Sequence, residues 1–273
     1  MSEAKVIAIT NQKGGVAKST TTVNLGVGLS KLGKKVLVID ADPQGSLSVS
    51  LGIRNPDELE ASLSTLMQNV IEDEPFDKEN ILFHHEEGID LIPSNIELSG
   101  IEISLFNVMS REVILKNCIK HFKESYDYIL IDCMPSLGLM TINALAASDS
   151  IIIPSQPNFL STKGLNLLLR SIAKVKRQIN PALSIDGILL TMVNGRTNNA
   201  KNISTSLRES VGGGIRVFDT EIPHSVRIPE SSIEGKSIFA YDRNCKAAMA
   251  YEAFSKEVVS IEKKQSGFRS YRL

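Results

Sequence analysis

A glycine-rich stretch near the N-terminus limits the possible folds of this 273-residue chain more than any other feature. Residues 7–26 read IAITNQKGGVAKSTTTVNLG, with an apolar run before two glycines and Lys-Ser-Thr after them. The apolar run predicts a buried strand, and the pattern after the glycines predicts a helix that stops at Gly33. Because the first N–H groups of a helix have no partners within it, this strand, turn and helix predict an anion site.

Each residue type in the turn has a chemical reason to be there if the anion is a nucleotide phosphate. Gly14 and Gly15 let the backbone approach phosphate oxygens closely, where a Cβ would clash. Lys18 can reach the β- and γ-phosphates, Ser19 offers a hydroxyl to Mg²⁺, and Thr20 can hydrogen-bond a phosphate. The alternative interpretation is an ordinary glycine turn before a helix.

Apolar runs alternate with amphipathic stretches along the rest of the chain. Continuous Val, Ile and Leu runs without alternation are typical of strands that are buried on both faces of a parallel sheet. We therefore predict an α/β fold with a mostly parallel central sheet and helices on both faces. The predicted strands after the first are KVLVID (35–40), IDLIP (89–93), YDYILID (126–132), SIIIPSQ (150–156) and IDGILLTMV (185–193). Residues 54–88 are acidic and are predicted to be irregular.

Acidic residues end two of these strands. Asp40 and Asp42 follow one apolar run, and Asp132 follows another. Ligands of open α/β sheets bind beyond the carboxyl ends of the strands. We expect one of the first two carboxylates to orient the water that attacks a γ-phosphate, and Asp132 to hold Mg²⁺ through a water. Each aspartate taken alone could merely cap a loop.

The composition excludes several other classes of protein. With 42% hydrophobic and 22% charged residues, the chain reads as globular and water-soluble. Three cysteines without CxxC spacing argue against a disulfide framework or a zinc site. The sequence shows no signal-peptide pattern and no apolar run near the roughly 20 residues of a membrane span, so we expect a cytoplasmic protein.

The motifs together resemble a known family. KGGVAKST is similar to the deviant Walker A box, KGGxGK[ST], of the ParA/MinD ATPases. VIDADPQGS resembles their Walker A′ segment, and ILIDCMPSLGLMTINAL resembles their Walker B strand and the helix after it. Further segments resemble the Soj/ParA branch, and the likeness covers roughly residues 4–260. It implies one P-loop ATPase domain over residues 1–262. Residues 263–273 are basic and without periodicity, and we predict that they form a flexible tail.

The resemblance also assigns roles to residues. It implies an ATPase that uses ATP and Mg²⁺ and forms a homodimer around the nucleotides. Lys13 matches the signature lysine that reaches the phosphates held by the partner subunit, although its spacing alone would also suit an exposed loop lysine. The implied catalytic residues are Lys13, Lys18 and Asp42, and the implied metal-binding residues are Ser19, Asp42 and Asp132. The implied nucleotide loop comprises Lys13, Gly14, Gly15, Val16, Ala17, Lys18, Ser19 and Thr20.

Ala17 departs from the family, which usually has glycine at this position. A methyl group is harmless there if the residue is helical, and costs about 1 kcal/mol or more if φ is positive. We expect nucleotide binding to survive this change and turnover to be slow.

The last third of the chain suggests a second binding surface. From Arg196 onward there are 13 basic and 9 acidic residues. Arg196 and Arg227 match arginines that contribute to DNA binding in Soj-like relatives. Arginines on loops contact phosphates without reading bases, so we expect non-specific double-stranded DNA binding that weakens as salt rises. The implied function is chromosome or plasmid partition on the nucleoid, with hydrolysis stimulated by an activator of the ParB/Spo0J type.

Three other functions fit the sequence less well. A membrane-cycling regulator like MinD needs a C-terminal amphipathic helix, and the tail has no clean apolar face, so no stable membrane association is expected. An iron–sulfur relative needs paired cluster cysteines, which Cys133 does not provide. A bacterial tyrosine kinase of the Walker type needs a terminal tyrosine cluster, which this sequence lacks.

Overall fold

The computed structural model describes residues 3–157, 162–194 and 214–270, which form an eight-stranded sheet with helices on both faces. The strands coincide with the apolar runs of the sequence, because those runs can be buried from both sides. The strands are β1 (Lys5–Ile9), β2 (Val36–Ala41), β3 (Phe83–His85), β4 (Ile89–Ile92), β5 (Tyr128–Cys133), β6 (Ser150–Ser155), β7 (Ser184–Val193) and β8 (Val217–Pro223).

The helices connect these strands or follow them. Three single 3₁₀ turns, at Pro56–Glu58, Leu105–Asn107 and Arg111–Val113, lie between them. The helices are α1 (Lys18–Lys31), α2 (Ser46–Ser50), α3 (Leu63–Ile71), α4 (Lys78–Ile81), α5 (Leu98–Ser104), α6 (Ile114–Lys120), α7 (Leu139–Ala147), α8 (Thr162–Gln178), α9 (Arg227–Ile233), α10 (Ile238–Tyr241) and α11 (Lys246–Ser270).

The strand order places one end of the sheet where a ligand can bind. The order is β3-β4-β2-β5-β1-β6-β7-β8, and every neighbouring pair is parallel except the antiparallel edge pair of β3 and β4. The predicted mostly parallel sheet is therefore confirmed. The chain leaves β1 toward β2 on one side and leaves β6 toward β7 on the other. Adjacent strands whose connections diverge open a crevice at their carboxyl ends, which is where such folds bind ligands.

Two apolar cores lie on opposite faces of the sheet. Alternate residues of β5 divide between them, since Leu130 faces the core under α1 and α11, whereas Ile129 and Ile131 face the core under α3 and α5–α8. Helix α11 packs very closely on α1, because a Cβ at Gly28 would lie 2.1 Å from the Ser255 hydroxyl. The strands are thus fixed from both sides, and their carboxyl ends hold side chains at defined positions.

One segment has a structure that differs from its prediction, and in another a helix continues past a predicted domain boundary. Residues 54–88 hold α3, α4 and β3 rather than an irregular stretch. Helix α3 begins with a capping box between Ser62 and Thr65, and it buries Leu63, Leu66 and Met67 on one side. The backbone of α11 is helical to Ser270, so no helix end coincides with residue 262. The domain boundary there and the flexibility of the tail stay predictions.

Within the part of the chain that the structure describes, no helix is both long enough and apolar enough to cross a membrane.

A buried ion pair joins β1 and β7 near their amino ends, at the end of the sheet opposite to the crevice. Lys5 Nζ lies 3.0 Å from Asp186 Oδ2, and their side chains are 12% and 2% exposed. Ser150 Oγ also donates to Asp186 Oδ2, at 2.7 Å. A charge this deeply buried depends on its partner, since losing one member leaves the other uncompensated.

We predict that Lys5→Met lowers the free energy of unfolding by about 3 kcal/mol, because Asp186 is left buried without its cation. Urea unfolding at neutral pH measures the change. Lys34→Met is the matched control, since Lys34 and Asp127 are 3.9 Å apart and well exposed, and it should cost less than about 1 kcal/mol. Equal losses for the two variants would contradict a stabilising role for the buried pair.

Candidate nucleotide site

The loop between β1 and α1 has the backbone shape of an anion cradle. Gly15 and Ala17 both have positive φ, 71° and 64°, and they alternate with Gly14 and Val16. Successive N–H groups in such alternating conformations form a concave nest for anions. A Cβ at Gly14 or Gly15 would meet no atom within 4 Å, so the loop has open space beside it. Helix α1 begins directly after, and its N-terminus adds partial positive charge.

Ala17 has a positive φ, which is the less stable of the two backbone conformations that the sequence left open at this position. Its φ of 64° and ψ of 39° are left-handed, and its side chain makes no capping hydrogen bond to α1. The nest requires this conformation, and glycine adopts it without the steric penalty of a Cβ. The structure thus keeps the cradle of the family motif at the cost of local backbone strain.

The two lysines of the motif occupy different parts of the loop. Lys18 is 8% exposed, and its Nζ lies 3.4 Å from the carbonyl oxygen of Lys13. Lys13 is half-buried, and its backbone N–H donates to Asn11 Oδ1 at 3.1 Å. Asn11 Nδ2 in turn donates to the carbonyl oxygen of Pro154, at 2.8 Å. The amide of Asn11 therefore ties the outer turn of the loop, which carries Lys13, to β6.

Asp132 lies at the carboxyl end of β5, beside β1 and β2. It pairs in register with Ile9 on one side and Asp40 on the other. Thr22 Oγ1 donates to Asp132 Oδ1 at 3.3 Å, whereas Asp132 Oδ2 is buried without a hydrogen-bond partner among the described residues. Burial, and then repulsion by Asp40, raise the pKa of Asp132 to about 8, although a hydrogen bond from Ser19 and the charge of Lys18 oppose the shift.

The carboxylate of Asp40 already accepts hydrogen bonds from other residues of the protein. Its carboxylate accepts hydrogen bonds from Ser48 N at 2.9 Å, Ser48 Oγ at 2.8 Å and Asp42 N at 3.2 Å. Burial raises the pKa of Asp40 to about 6 despite these bonds. Asp42 is 9% exposed, and its Oδ1 accepts from Gln44 N at 3.0 Å. The sequence left open which of the two carboxylates could orient a water, and this arrangement favours Asp42.

The oxygen donors at this edge suit a magnesium ion. Among the described residues, no group of three or more His, Cys, Asp or Glu side chains is arranged to hold a metal. Mg²⁺ usually binds through one or two carboxylates together with substrate phosphates and waters. The unpartnered Asp132 Oδ2 and the hydroxyl of Ser19 fit that pattern, with Asp42 directly after the neighbouring strand β2. A cation there would also offset the repulsion between the buried carboxylates of Asp40 and Asp132.

Sequence reasoning missed several residues that build the site. Gln12 Nε2 lies in the loop and, like Asp132 Oδ2, is buried with no hydrogen-bond partner in the described part of the chain. Gln156 and Thr191 bond carbonyl groups of the loop from β6 and β7. Polar residues near the carboxyl ends of β6 and β7 were the available signal, but nothing in the sequence gives their orientation.

A distant glutamate holds the segment that follows Asp132. Residues 134–138 connect β5 to α7, and α7 begins after Gly138 without a side-chain cap of its own. Glu102 of α5 supplies a carboxylate instead, since its Oε1 accepts from Met140 N at 3.3 Å. A Cβ at Gly138 would lie only 2.5 Å from the same oxygen. Negative charge at a helix N-terminus is stabilising, so Glu102 anchors this segment to α5.

Only one of the two candidate DNA-binding arginines lies in the part of the chain that the structure describes. Arg196 lies outside the described residues, and so do Lys201 and Arg208. Arg227 is half exposed at the start of α9, where its guanidinium lies 3.1 Å from Glu230 Oε2 and 3.7 Å from Asp242 Oδ2. A phosphate that contacts Arg227 must therefore compete with two carboxylates.

Comparisons with known proteins agree on one family. A family model described as an AAA domain matches residues 4–185. The sporulation initiation inhibitor protein Soj of Bacillus subtilis is 42% identical over 94% of this chain and 98% of its own. The chromosome partitioning protein ParA of Caulobacter vibrioides is 37% identical over 95% of each chain. The chain belongs to the ParA/Soj family of partition ATPases.

A solved structure extends this likeness to the whole fold. Cobyrinic acid a,c-diamide synthase from Mycobacterium smegmatis, with bound ATP analog and magnesium, superimposes with a TM-score of 0.81. It is 32% identical, and the match covers 95% of this chain and 96% of that one. The predicted P-loop architecture of this ParA/Soj family member is thus confirmed.

We predict that Ala17→Gly raises the free energy of unfolding by about 1 kcal/mol, because glycine removes the strain of the positive φ. Chemical denaturation without nucleotide measures it. Ala173→Gly is the control, since Ala173 is exposed in α8, and glycine in a helix interior should destabilise by about 1 kcal/mol. A loss of stability at both positions would show that Ala17 is not strained.

We predict that the nucleotide-free protein becomes less stable as pH rises from about 4 toward 8. The pKa of Asp132 is raised from 3.8 to about 8 in the folded state. The folded protein therefore binds this proton more tightly than the unfolded chain, and that stabilisation is lost as pH rises through the folded pKa. Asp132→Asn should flatten this part of the profile, measured by thermal unfolding from pH 5 to pH 9.

Glu58→Gln is the control for that profile, because Glu58 is exposed on a surface 3₁₀ turn. Its profile should follow that of the parent protein. If Asp132→Asn also follows the parent, then Asp132 does not carry a raised pKa.

Proposed function

We propose that this chain is a Mg²⁺-dependent ATPase that assembles into a homodimer when it binds ATP. The ATP-bound dimer binds double-stranded DNA without sequence preference, and an activator protein of the ParB/Spo0J type stimulates hydrolysis and resets it. The cycle serves the partition of a chromosome or plasmid. Relatives named for chromosome partitioning, each 37% identical over nearly the whole chain, support this proposal.

One observation carries the proposed ATPase activity. The left-handed nest of Gly15 and Ala17 lies at the carboxyl end of β1, and Asp132, with its unpartnered Oδ2, ends the adjacent strand β5. The nest offers N–H groups to phosphate, and the carboxylate offers oxygen to a cation. The M. smegmatis neighbour, which has the same fold, holds an ATP analog and magnesium.

Each side chain of the site would have a separate role in hydrolysis. Bound ATP with Mg²⁺ supplies the phosphoryl group and the cation beside it. Lys18 exchanges its long contact with the Lys13 carbonyl oxygen for phosphate oxygens, and Ser19 with Asp132 would hold the metal. Asp42 orients the attacking water, since Asp40 is fully engaged with Ser48 and the Asp42 backbone. Positioning and charge stabilisation supply most of the rate enhancement in phosphoryl transfer.

Lys13 would link hydrolysis to assembly. It lies on the outer turn of the loop, which Asn11 fixes to β6. A cation delivered from a second subunit stabilises charge on the transferring phosphoryl group only after the subunits meet. The monomer would then hydrolyse ATP slowly, and dimerisation would complete the site.

Arg196 and Arg227 would contact DNA phosphates in the dimer. Since Arg227 is paired with Glu230 and Asp242, binding replaces these carboxylates with phosphates and yields less energy than an unpaired arginine would. Two subunits present the arginines twice, so DNA binding should depend on ATP. The salt slope of the affinity should fall by about one for each phosphate-binding arginine that is removed.

We predict that the protein retains a random-sequence DNA duplex with Mg²⁺ and a non-hydrolysable ATP analogue, and much less with ADP or without nucleotide. Lys13→Ala should abolish this difference by preventing dimerisation. The double variant Arg196→Ala with Arg227→Ala should weaken retention and lower its salt dependence while still dimerising. Filter binding over a salt series, with light scattering on the same samples, measures both properties.

The matched controls are Lys34→Ala, which removes a cation at the amino end of β2, and Lys116→Ala, which removes an exposed cation on α6. Both should bind DNA like the parent protein. DNA binding that is independent of nucleotide, or insensitive to the double variant, would contradict the proposal. Binding to anionic liposomes in place of DNA would instead support the membrane-cycling alternative.

A further inference from the structure

Two side chains from neighbouring strands hold carbonyl groups of the phosphate loop. Thr191 of β7 is completely buried, and its Oγ1 donates to the carbonyl oxygen of Val16 at 3.1 Å. Gln156 follows β6 directly, and its Nε2 donates to the carbonyl oxygen of Gly15 at 2.8 Å. Residues more than 140 positions away in the sequence therefore bond two consecutive peptide groups of the loop.

Holding a carbonyl group also fixes an N–H group. In a planar trans peptide, the C=O of one residue and the N–H of the next point in opposite directions. The bond from Gln156 thus turns the Val16 N–H away from Gln156, and the bond from Thr191 turns the Ala17 N–H away from Thr191. At the end of the loop, Thr21 N donates to the Ala17 carbonyl oxygen at 2.9 Å, which orients the Lys18 N–H in the same manner.

The amide of Gln156 is itself held from a second side. Its Nε2 also lies 2.8 Å from the sulfur of Met192. Met192 has a φ of 54°, in a stretch where the pairing of β7 with β8 shifts register. Non-glycine residues in this conformation are uncommon and occur where the surrounding structure imposes them, often at functional sites. The irregular end of β7 therefore brings both Thr191 and Met192 to the loop.

We propose that Thr191 and Gln156 are positioning residues of the phosphate site, which act by aligning the Val16 and Ala17 N–H groups with the bound phosphates. This inference rests on the proposed nucleotide site and assigns part of its affinity to residues outside the loop. The strain at Ala17 makes the external bonds more important, because Ala17 lacks the freedom of a glycine to keep the left-handed conformation.

The proposal separates binding from hydrolysis. Neither side chain reaches Asp42 or Asp132 by a hydrogen bond in the described part of the chain, whereas both bond the loop that cradles the phosphates. Loosening the loop should weaken ATP and ADP alike. Turnover at saturating ATP should change little, which is the signature of a loss of uniform binding.

Thr191→Val tests the first residue, because it keeps the shape of the side chain and removes the hydroxyl. We expect the dissociation constants of both ATP and ADP to rise about tenfold, the effect of removing one hydrogen bond to a buried carbonyl. Thr191→Ser should restore the affinity, since it retains the donor. Fluorescent-nucleotide titration measures binding, and kcat should stay within about twofold of the parent.

Gln156→Leu tests the second residue at a more accessible position, where folding is less at risk. Its expected effect is a similar loss of affinity, and Gln178→Leu, an exposed glutamine on α8, is the matched control. A melting temperature for each variant shows that it is folded.

The outcomes distinguish this inference from the proposed function. If the parent protein binds nucleotide and Thr191→Val and Gln156→Leu bind it equally well, the positioning role is wrong and the nucleotide site stands. Loss of affinity in Thr191→Ser as large as in Thr191→Val would also overturn it, because the hydroxyl would then not matter. If the parent protein itself binds no nucleotide, the proposed function fails.

Discussion

The juxtaposition of Asp40 and Asp132 across β2 and β5 is the constraint on which the site depends. Two buried carboxylates in register repel each other, and the fold treats them differently. Asp40 receives three hydrogen bonds from Ser48 and Asp42, whereas Asp132 keeps one buried oxygen without a partner among the described residues. An unsatisfied buried acceptor is costly, so a metal ion bound beside Asp132, in addition to the charge of Lys18, would stabilise this end of the sheet.

The amino end of the same sheet holds a buried carboxylate that is paired with a cation of the protein. There Lys5 and Ser150 both bond Asp186 Oδ2, whereas Asp186 Oδ1 is buried without a hydrogen-bond partner among the described residues. At the carboxyl edge, by contrast, Ala17 and Met192 hold left-handed backbone conformations. The left-handed Ala17 and Met192 lie at the same end of the sheet as the buried, unpartnered Thr10 Oγ1, Gln12 Nε2 and Asp132 Oδ2. Features of this kind are often retained for function rather than stability.

The sequence predicted the strands and the loop that carry the candidate site, because these elements follow from local patterns. Glycines between an apolar run and a helix are sufficient to place the phosphate loop, and an aspartate at the end of a Val/Ile/Leu strand is sufficient to place Asp132 at the same edge. The departure at Ala17 was also visible in the sequence, where the destabilising effect of the methyl group was expected to depend on φ. The sequence could not give the sign of φ, because alanine is common in both helices and loops.

Long-range hydrogen bonds lay beyond such patterns. Thr191 bonds Val16 across 175 residues of sequence, and Glu102 bonds Met140 N from another helix. No periodicity or spacing encodes these contacts, which follow from the strand order. Helix α3 is different, because its apolar residues Leu63, Leu66 and Met67 have helical spacing, but the acidic residues nearby favoured an irregular segment in the prediction.

Calorimetric titration of a non-hydrolysable ATP analogue, with and without Mg²⁺, tests the central claim that Asp132 helps to bind the Mg²⁺ ion that accompanies the nucleotide. The account predicts that Mg²⁺ tightens binding to the parent protein. In Asp132→Asn the analogue should still bind to the loop, but with little response to the metal. Equal Mg²⁺ dependence in the two proteins, or binding to the parent that ignores Mg²⁺, would contradict the assignment of Asp132 and of this end of the sheet.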